Sequence, residues 1–115
     1  MQMRLKADIG KARREGGKPV DLVHLSAQTM GDRALEAEVL RIFLSQAPVW
    51  MDALTRTGGN TARREAAHTL KGSARAIGAF RLADLAAEAE MPASSDTGEL
   101  QAEFDRVMTY VRTLI

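Results

Sequence analysis

The segment from Arg33 to about Thr57 limits the possible folds most. Apolar residues fall at Leu35, Val39, Ile42 and Phe43, Ala47, Trp50 and Met51, and Leu54. That is helical spacing held without a break. Leu40, Leu44 and Val49 widen the stripe, as expected for a helix that touches two neighbours. No alternating strand pattern occurs in the 115 residues, so a helix this long must bury its face against other helices. Gly31 and Asp32 are the stop for the segment before and the cap for this one. Pro48, in mid-helix, should kink it or start a new turn.

The rest of the chain supplies the partners. Val20 to Met30 reads as a short helix, with Asp21 as a candidate cap and Leu22, Leu25 and Thr29 along one side. Gly58-Gly59-Asn60 is a loop ending in a cap, and Thr61 to Ile77 is the next helix, terminated by Gly78. Ala79 to Met91 returns antiparallel and Pro92 stops it. Ala93-Ser94-Ser95 is a loop, and Asp96-x-x-Glu99 reads as a capping box. Leu100, Phe104, Val107, Val111 and Leu114 then line one face of a last helix. Short connections between long helices predict an all-α chain, an antiparallel up-down four-helix bundle over residues 20–115. Residues 1–19 are basic and read as an arm, partly helical at most, that stops at Gly16. Gly17-Lys18 does not make a phosphate loop, because Ala12 stands where the first glycine belongs and Pro19 replaces Ser or Thr.

Composition removes several function classes. A net charge of +1 gives no overall pull toward nucleic acid or membrane. The absence of cysteine excludes disulfides, a thiolate nucleophile and cysteine–zinc sites. There is no apolar run long enough to span a bilayer, and the charged N-terminus lacks the apolar middle of a signal peptide. A cytoplasmic location is expected.

The most informative stretch is Thr61 to Gly78. Measured at about 100° per residue from His68, Arg64, Arg75 and Thr61 lie within about 40°, and Glu65, Lys71 and Gly72 within about 60°. Ala66, Leu70, Ser73 and Ile77 take the opposite side. The histidine therefore stands on the polar face, with Gly72 one turn beyond it. A glycine inside a helix costs about 1 kcal/mol and calls for a reason. A core histidine would have apolar neighbours at these positions. Metal binding is disfavoured, since His24 is the other histidine and reads as structural or exposed. A single Glu65-x-x-His68 match without a second copy does not make a carboxylate metal site. General acid–base catalysis wants a pocket, which a convex helix face does not predict. An exposed imidazole among cations suits a nucleophile that receives an anionic group. Lys71, Arg64 and Arg75 are candidates to offset its charge or to steer an acidic partner. Glu90 lies on a helix whose stripe, Ala83, Ala86 and Ala87, is small and suited to face the His68 helix.

His68-Thr69-Leu70-Lys71-Gly72-Ser73-Ala74, followed by Ile77-Gly78-Ala79 and Leu82, resembles the HxLKGS signature of histidine-containing phosphotransfer (HPt) domains. Weaker similarity runs from about Val20 to the C-terminus, including Gly31-Asp32-x-x-Leu35-x-x-Glu38-Val39-Leu40 and Phe43-x-x-x-Ala47-Pro48. The resemblance implies a phosphorelay carrier, with a phosphoryl group on His68 passed between receiver-domain aspartates. Lys71 and Gly72 belong to its signature. It further implies that Glu90 accepts a hydrogen bond from the Nδ1–H of His68, with Glu88 as the alternative. Arg64, Glu65 and Arg75 are the expected binding residues. The implied partners are response-regulator receiver domains or a hybrid histidine kinase, with no nucleic acid and no membrane, and a monomer is expected. The carrier would be no enzyme, having no ATP site and no cofactor or metal of its own; Mg²⁺ is expected in the partner receiver. The alternative reading is a non-catalytic helical adaptor that binds a receiver or kinase.

Overall fold

The computed structural model describes residues 17–56, 60–91 and 96–115. Among these there are five helices and no strand: α1 Leu22–Gln28, α2 Arg33–Thr55, α3 Asn60–Ile77, α4 Phe80–Ala89 and α5 Gly98–Leu114. Residues 1–16 of the expected arm, Gly58 and Gly59 of the first loop, and the Pro92–Ser95 stop and loop lie outside the described residues. Helix α2 packs on α3 and α5, α3 packs on α4, and α4 packs on α5; α1 lies against α2 and α3.

Caps set the helix starts. The Asp21 carboxylate accepts from the Val23 and His24 amides at 3.0 and 3.1 Å, and that of Asp32 accepts from Leu35 at 3.0 Å. Each satisfies amides that lack a partner in the first helical turn. Helix α1 ends at Gln28 rather than Met30, because Met30 and Gly31 adopt φ of 53° and 74°. Asn60 is the first helical residue of α3, not a residue before it. The capping box expected at Asp96 and Glu99 does not form. Helix α5 starts one residue later, so Asp96 instead accepts from Gly98 two residues on, at 2.9 Å.

Helix α2 is one element through Pro48, and no new helix starts there. Pro48 is exposed and has no amide for the Leu44 carbonyl. The buried side of α2 is Leu40, Phe43, Ala47, Met51 and Leu54. Leu35, Ile42 and Val49, read as part of its stripe, are 39, 53 and 63% exposed. They recur seven residues apart and so share a flank turned away from the core. Of the methionines, Met51 and Met108 are buried, while Met30 and Met91 are exposed.

The α3–α4 pair positions what matters. Ala67 and Ala74 on α3, and Ala79, Ala83 and Ala86 at the start and along α4, are all 0% exposed. Small side chains at a helix contact let two backbones approach closely. The chain turns between the two helices at Gly78, where φ is 90°. A Cβ there would lie 2.7 Å from the Asp21 carbonyl oxygen, so the position demands glycine. The Asp21 amide donates to the Gly78 carbonyl at 2.9 Å, which docks the start of α1 on this turn. His24 packs its ring edge-on to Phe80, with centroids 4.9 Å apart.

One buried charge was not anticipated. Glu103 is 5% exposed, with Arg106 Nη1 at 3.0 Å and Arg81 Nε at 3.6 Å. Arg106 also donates to the Gly17 carbonyl at 2.8 Å. The signal was present: Glu103 falls on the same helical stripe as Leu100, Phe104 and Val107. Among the described residues, no helix is long and apolar enough to cross a membrane.

Candidate functional site

Helix α3 buries Ala66, Ala67, Leu70, Ala74 and Ile77. Ser73, expected on that side, is half-buried at its edge. The stripe is thus rotated toward Lys71, away from Ser73, because the alanine-rich α4 packs on that flank. His68 is left on the outer face with 71% of its side chain exposed.

His68 and Glu90 meet across the hairpin. The chain turns at residues 78–79, about midway between the two, so equal helical rise on both limbs brings them level. The imidazole Nδ1 lies 2.7 Å from Glu90 Oε1. An ionised carboxylate only accepts, so Nδ1 carries the proton, and in the neutral ring the lone pair sits on Nε2 at the exposed side. The other carboxylate oxygen accepts from Lys71 Nζ at 2.6 Å. The Lys71 and Glu90 side chains are 19 and 22% exposed. The Lys71 hydrogen bond holds the Glu90 carboxyl below its ordinary range; partial burial works against this and the His68 hydrogen bond with it.

An open groove of about 650 Å³ runs beside the ring, lined by Thr61, Arg64, Glu65, His68, Thr69 and Glu90. A depression at this face was not expected from a convex helix. It arises because the end of α4 stands beside α3 at Glu90. Thr69 turns its hydroxyl inward to the Glu65 carbonyl at 2.9 Å.

The structure therefore joins His68, Lys71 and Glu90 by direct bonds and adds Arg64 and Glu65 to the same groove. Gly72 and Arg75 are exposed outside it. A Cβ on Gly72 would meet nothing within 4 Å. Glu88, the alternative partner, is exposed, and Glu90 holds the ring. Sequence reasoning missed the Lys71–Glu90 pair and the place of Thr61 and Thr69 in the groove. The signal for the first was Ala67, a small residue beside Lys71 on the flank that α4 covers. Among the described residues, no group of three or more His, Cys, Asp or Glu side chains could hold a metal ion.

A family model described as the Hpt domain matches residues 38–114. The chain belongs to the Hpt domain family. Hpt domains are helical phosphocarriers of two-component signalling that work with receiver domains and kinases, and this chain carries that general role with the family. No curated protein and no solved structure matches the chain. The match spans α3 and α4 whole, and with them every residue of the site described above.

Proposed function

We propose that this Hpt domain is a phosphorelay carrier that accepts a phosphoryl group from a receiver aspartate onto His68 Nε2 and delivers it to another receiver. The observation that carries this reading is the His68–Glu90 bond at 2.7 Å on a ring that is 71% exposed. It presents one nitrogen outward with its lone pair free.

In the forward step the Nε2 lone pair attacks the phosphorus of the aspartyl phosphate. The N–P bond forms as the acyl P–O bond breaks, and that electron pair leaves on the aspartate carboxylate. Nδ1 keeps its proton throughout, and the positive charge that develops on the ring faces the Glu90 carboxylate. The reverse sequence discharges the carrier. Phosphoryl transfer asks a protein mainly for positioning and charge stabilisation. The receiver supplies the acyl phosphate and its Mg²⁺, so the carrier itself needs neither an ATP site nor a cofactor. The two-residue link between α3 and α4 supports the antiparallel up-down order of the bundle.

The test is to incubate the chain with receiver domains bearing labelled phosphate and follow the label. The expected adduct is acid-labile and base-stable, as a phosphoramidate is. His68→Gln should keep the helical circular-dichroism signal and abolish uptake, because an exposed polar substitution shifts stability by no more than about 0.5 kcal/mol. Label on the mutant, or an acid-stable adduct, removes His68 from the role.

A further inference from the structure

Resting on the carrier reading, we propose a division of labour among the cations around His68. Arg64 binds the phosphoryl group on Nε2, and Lys71 is a positioning residue that acts through Glu90. Placed by helical spacing alone, Lys71, Arg64 and Arg75 are equivalent candidates. The geometry separates them.

Lys71 is already committed. Its ammonium lies 2.6 Å from Glu90 Oε2, and both side chains are about four-fifths out of solvent, at 19 and 22% exposure. The chain of contacts runs Lys71, Glu90, His68 Nδ1, which is the side of the ring opposite Nε2. To reach a phosphoryl group, Lys71 would have to abandon a half-buried carboxylate, and an unpaired charge of that kind is costly. Where it is, it neutralises one oxygen of Glu90 and turns the other toward the ring.

Arg64 has the complementary placement. A helical side chain leans toward the N-terminus of its helix and covers the turn before its own Cα. The His68 ring therefore lies over the turn that contains residues 64 and 65, and Arg64 and Glu65 line the groove beside it. Arg64 is exposed, and among the described residues it forms no ion pair. Its planar, permanently charged fork suits two phosphate oxygens. Arg75 is seven residues beyond His68 and does not line the groove. Two carboxylates share the groove: Glu90 is already held by Lys71 and His68, which among the described residues leaves Glu65 as the unheld charge opposing Arg64 there.

The experiment uses the full chain, phosphoramidate as a small phosphoryl donor that removes receiver docking from the comparison, and ³¹P NMR to follow formation and decay of the phosphohistidine. Arg64→Gln should form the adduct more slowly and shorten its lifetime, by roughly three- to tenfold, and Arg64→Lys should restore part of the loss. Glu65→Gln should move the lifetime the other way. Lys71→Gln should alter the ¹⁵N tautomer signature of the unphosphorylated His68 ring, which Arg64→Gln leaves unchanged. Its kinetic effect should vanish in a Glu90→Ala background, whereas that of Arg64→Gln should persist there, as coupled and independent positions require. A wild-type lifetime in Arg64→Gln, or an effect of Lys71→Gln that adds to that of Glu90→Ala, overturns this assignment and leaves the carrier reading standing. A wild-type chain that takes phosphate neither from phosphoramidate nor from a phosphorylated receiver overturns both.

Discussion

Lys71 and Glu90, 19 residues apart, form a 2.6 Å ion pair on the inner flank of the α3–α4 hairpin. The pair fixes a carboxylate that would otherwise be a mobile end-of-helix glutamate. It thereby converts an exposed histidine into one with a defined tautomer. Several consequences can be measured.

Glu90→Ala should shift the unphosphorylated His68 ring toward a mixture of tautomers, since among the described residues Glu90 alone bonds Nδ1. Phosphate transfer should slow without ceasing, because Nε2 remains accessible. The ¹⁵N shifts of the ring give the tautomer ratio, and receiver-to-carrier kinetics give the rate. An unchanged ring spectrum would mean that the 2.7 Å contact does not order the imidazole in solution.

The same carboxylate should leave a mark on stability against pH. Lys71, first among the causes, holds the folded Glu90 carboxyl below the ordinary value of 4.5. A lowered folded pKa contributes stability that is present above the unfolded value and is lost as the pH falls through the folded one. Urea unfolding should therefore show wild type more stable than Glu90→Gln at neutral pH, by roughly 0.5–1.5 kcal/mol for a partly exposed charged pair. The gap should close below about pH 4.5. A gap that is constant down to pH 2 would show that the ion pair contributes nothing to folding.

Gly72 should respond with opposite signs in two assays. A Cβ there meets nothing within 4 Å, so Gly72→Ala should raise stability by roughly 0.5–1 kcal/mol through helix propensity and the unfolded chain. Transfer from a phospho-receiver should nevertheless fall, and fall further in Gly72→Gln, because the side chain stands where the receiver must approach Nε2. Melting curves and transfer rates decide this together. Wild-type transfer by Gly72→Gln would dismiss the approach argument.

Gly78 is the contrasting glycine. Its φ of 90° and the Asp21 carbonyl 2.7 Å from a would-be Cβ leave no room for alanine. Gly78→Ala should lose at least about 1–2 kcal/mol from the left-handed conformation alone. It should also loosen α1, whose start is bonded to Gly78. Denaturant midpoints compare the two glycine variants directly. Equal stability of Gly78→Ala and wild type would mean that α1 is not held by this turn.

Much of this protein is determined by short-range chemistry that a sequence displays. Asp21 and Asp32 cap because a carboxylate two or three residues ahead of an amide reaches it whatever the fold around it. Gly78 ends α3 because a left-handed residue is needed there, and His68 falls on the polar face because helical period alone sets that angle. The Hpt signature is legible for the same reason, as it lies within one stretch of one helix.

What the tertiary structure decided is which flank of each helix meets a neighbour. Period gives angles around one axis and says nothing of the direction from which the next helix comes. Hence Leu35, Ile42 and Val49 lie exposed although they fit a stripe, and Glu103 lies buried although it is charged. Hence, too, Lys71 is bound to Glu90 and turned from the outer end of the ring, while Arg64 lines the groove with His68. Three cations that are equivalent on a helical projection become different groups once α4, with its small alanine face, settles against one side of α3.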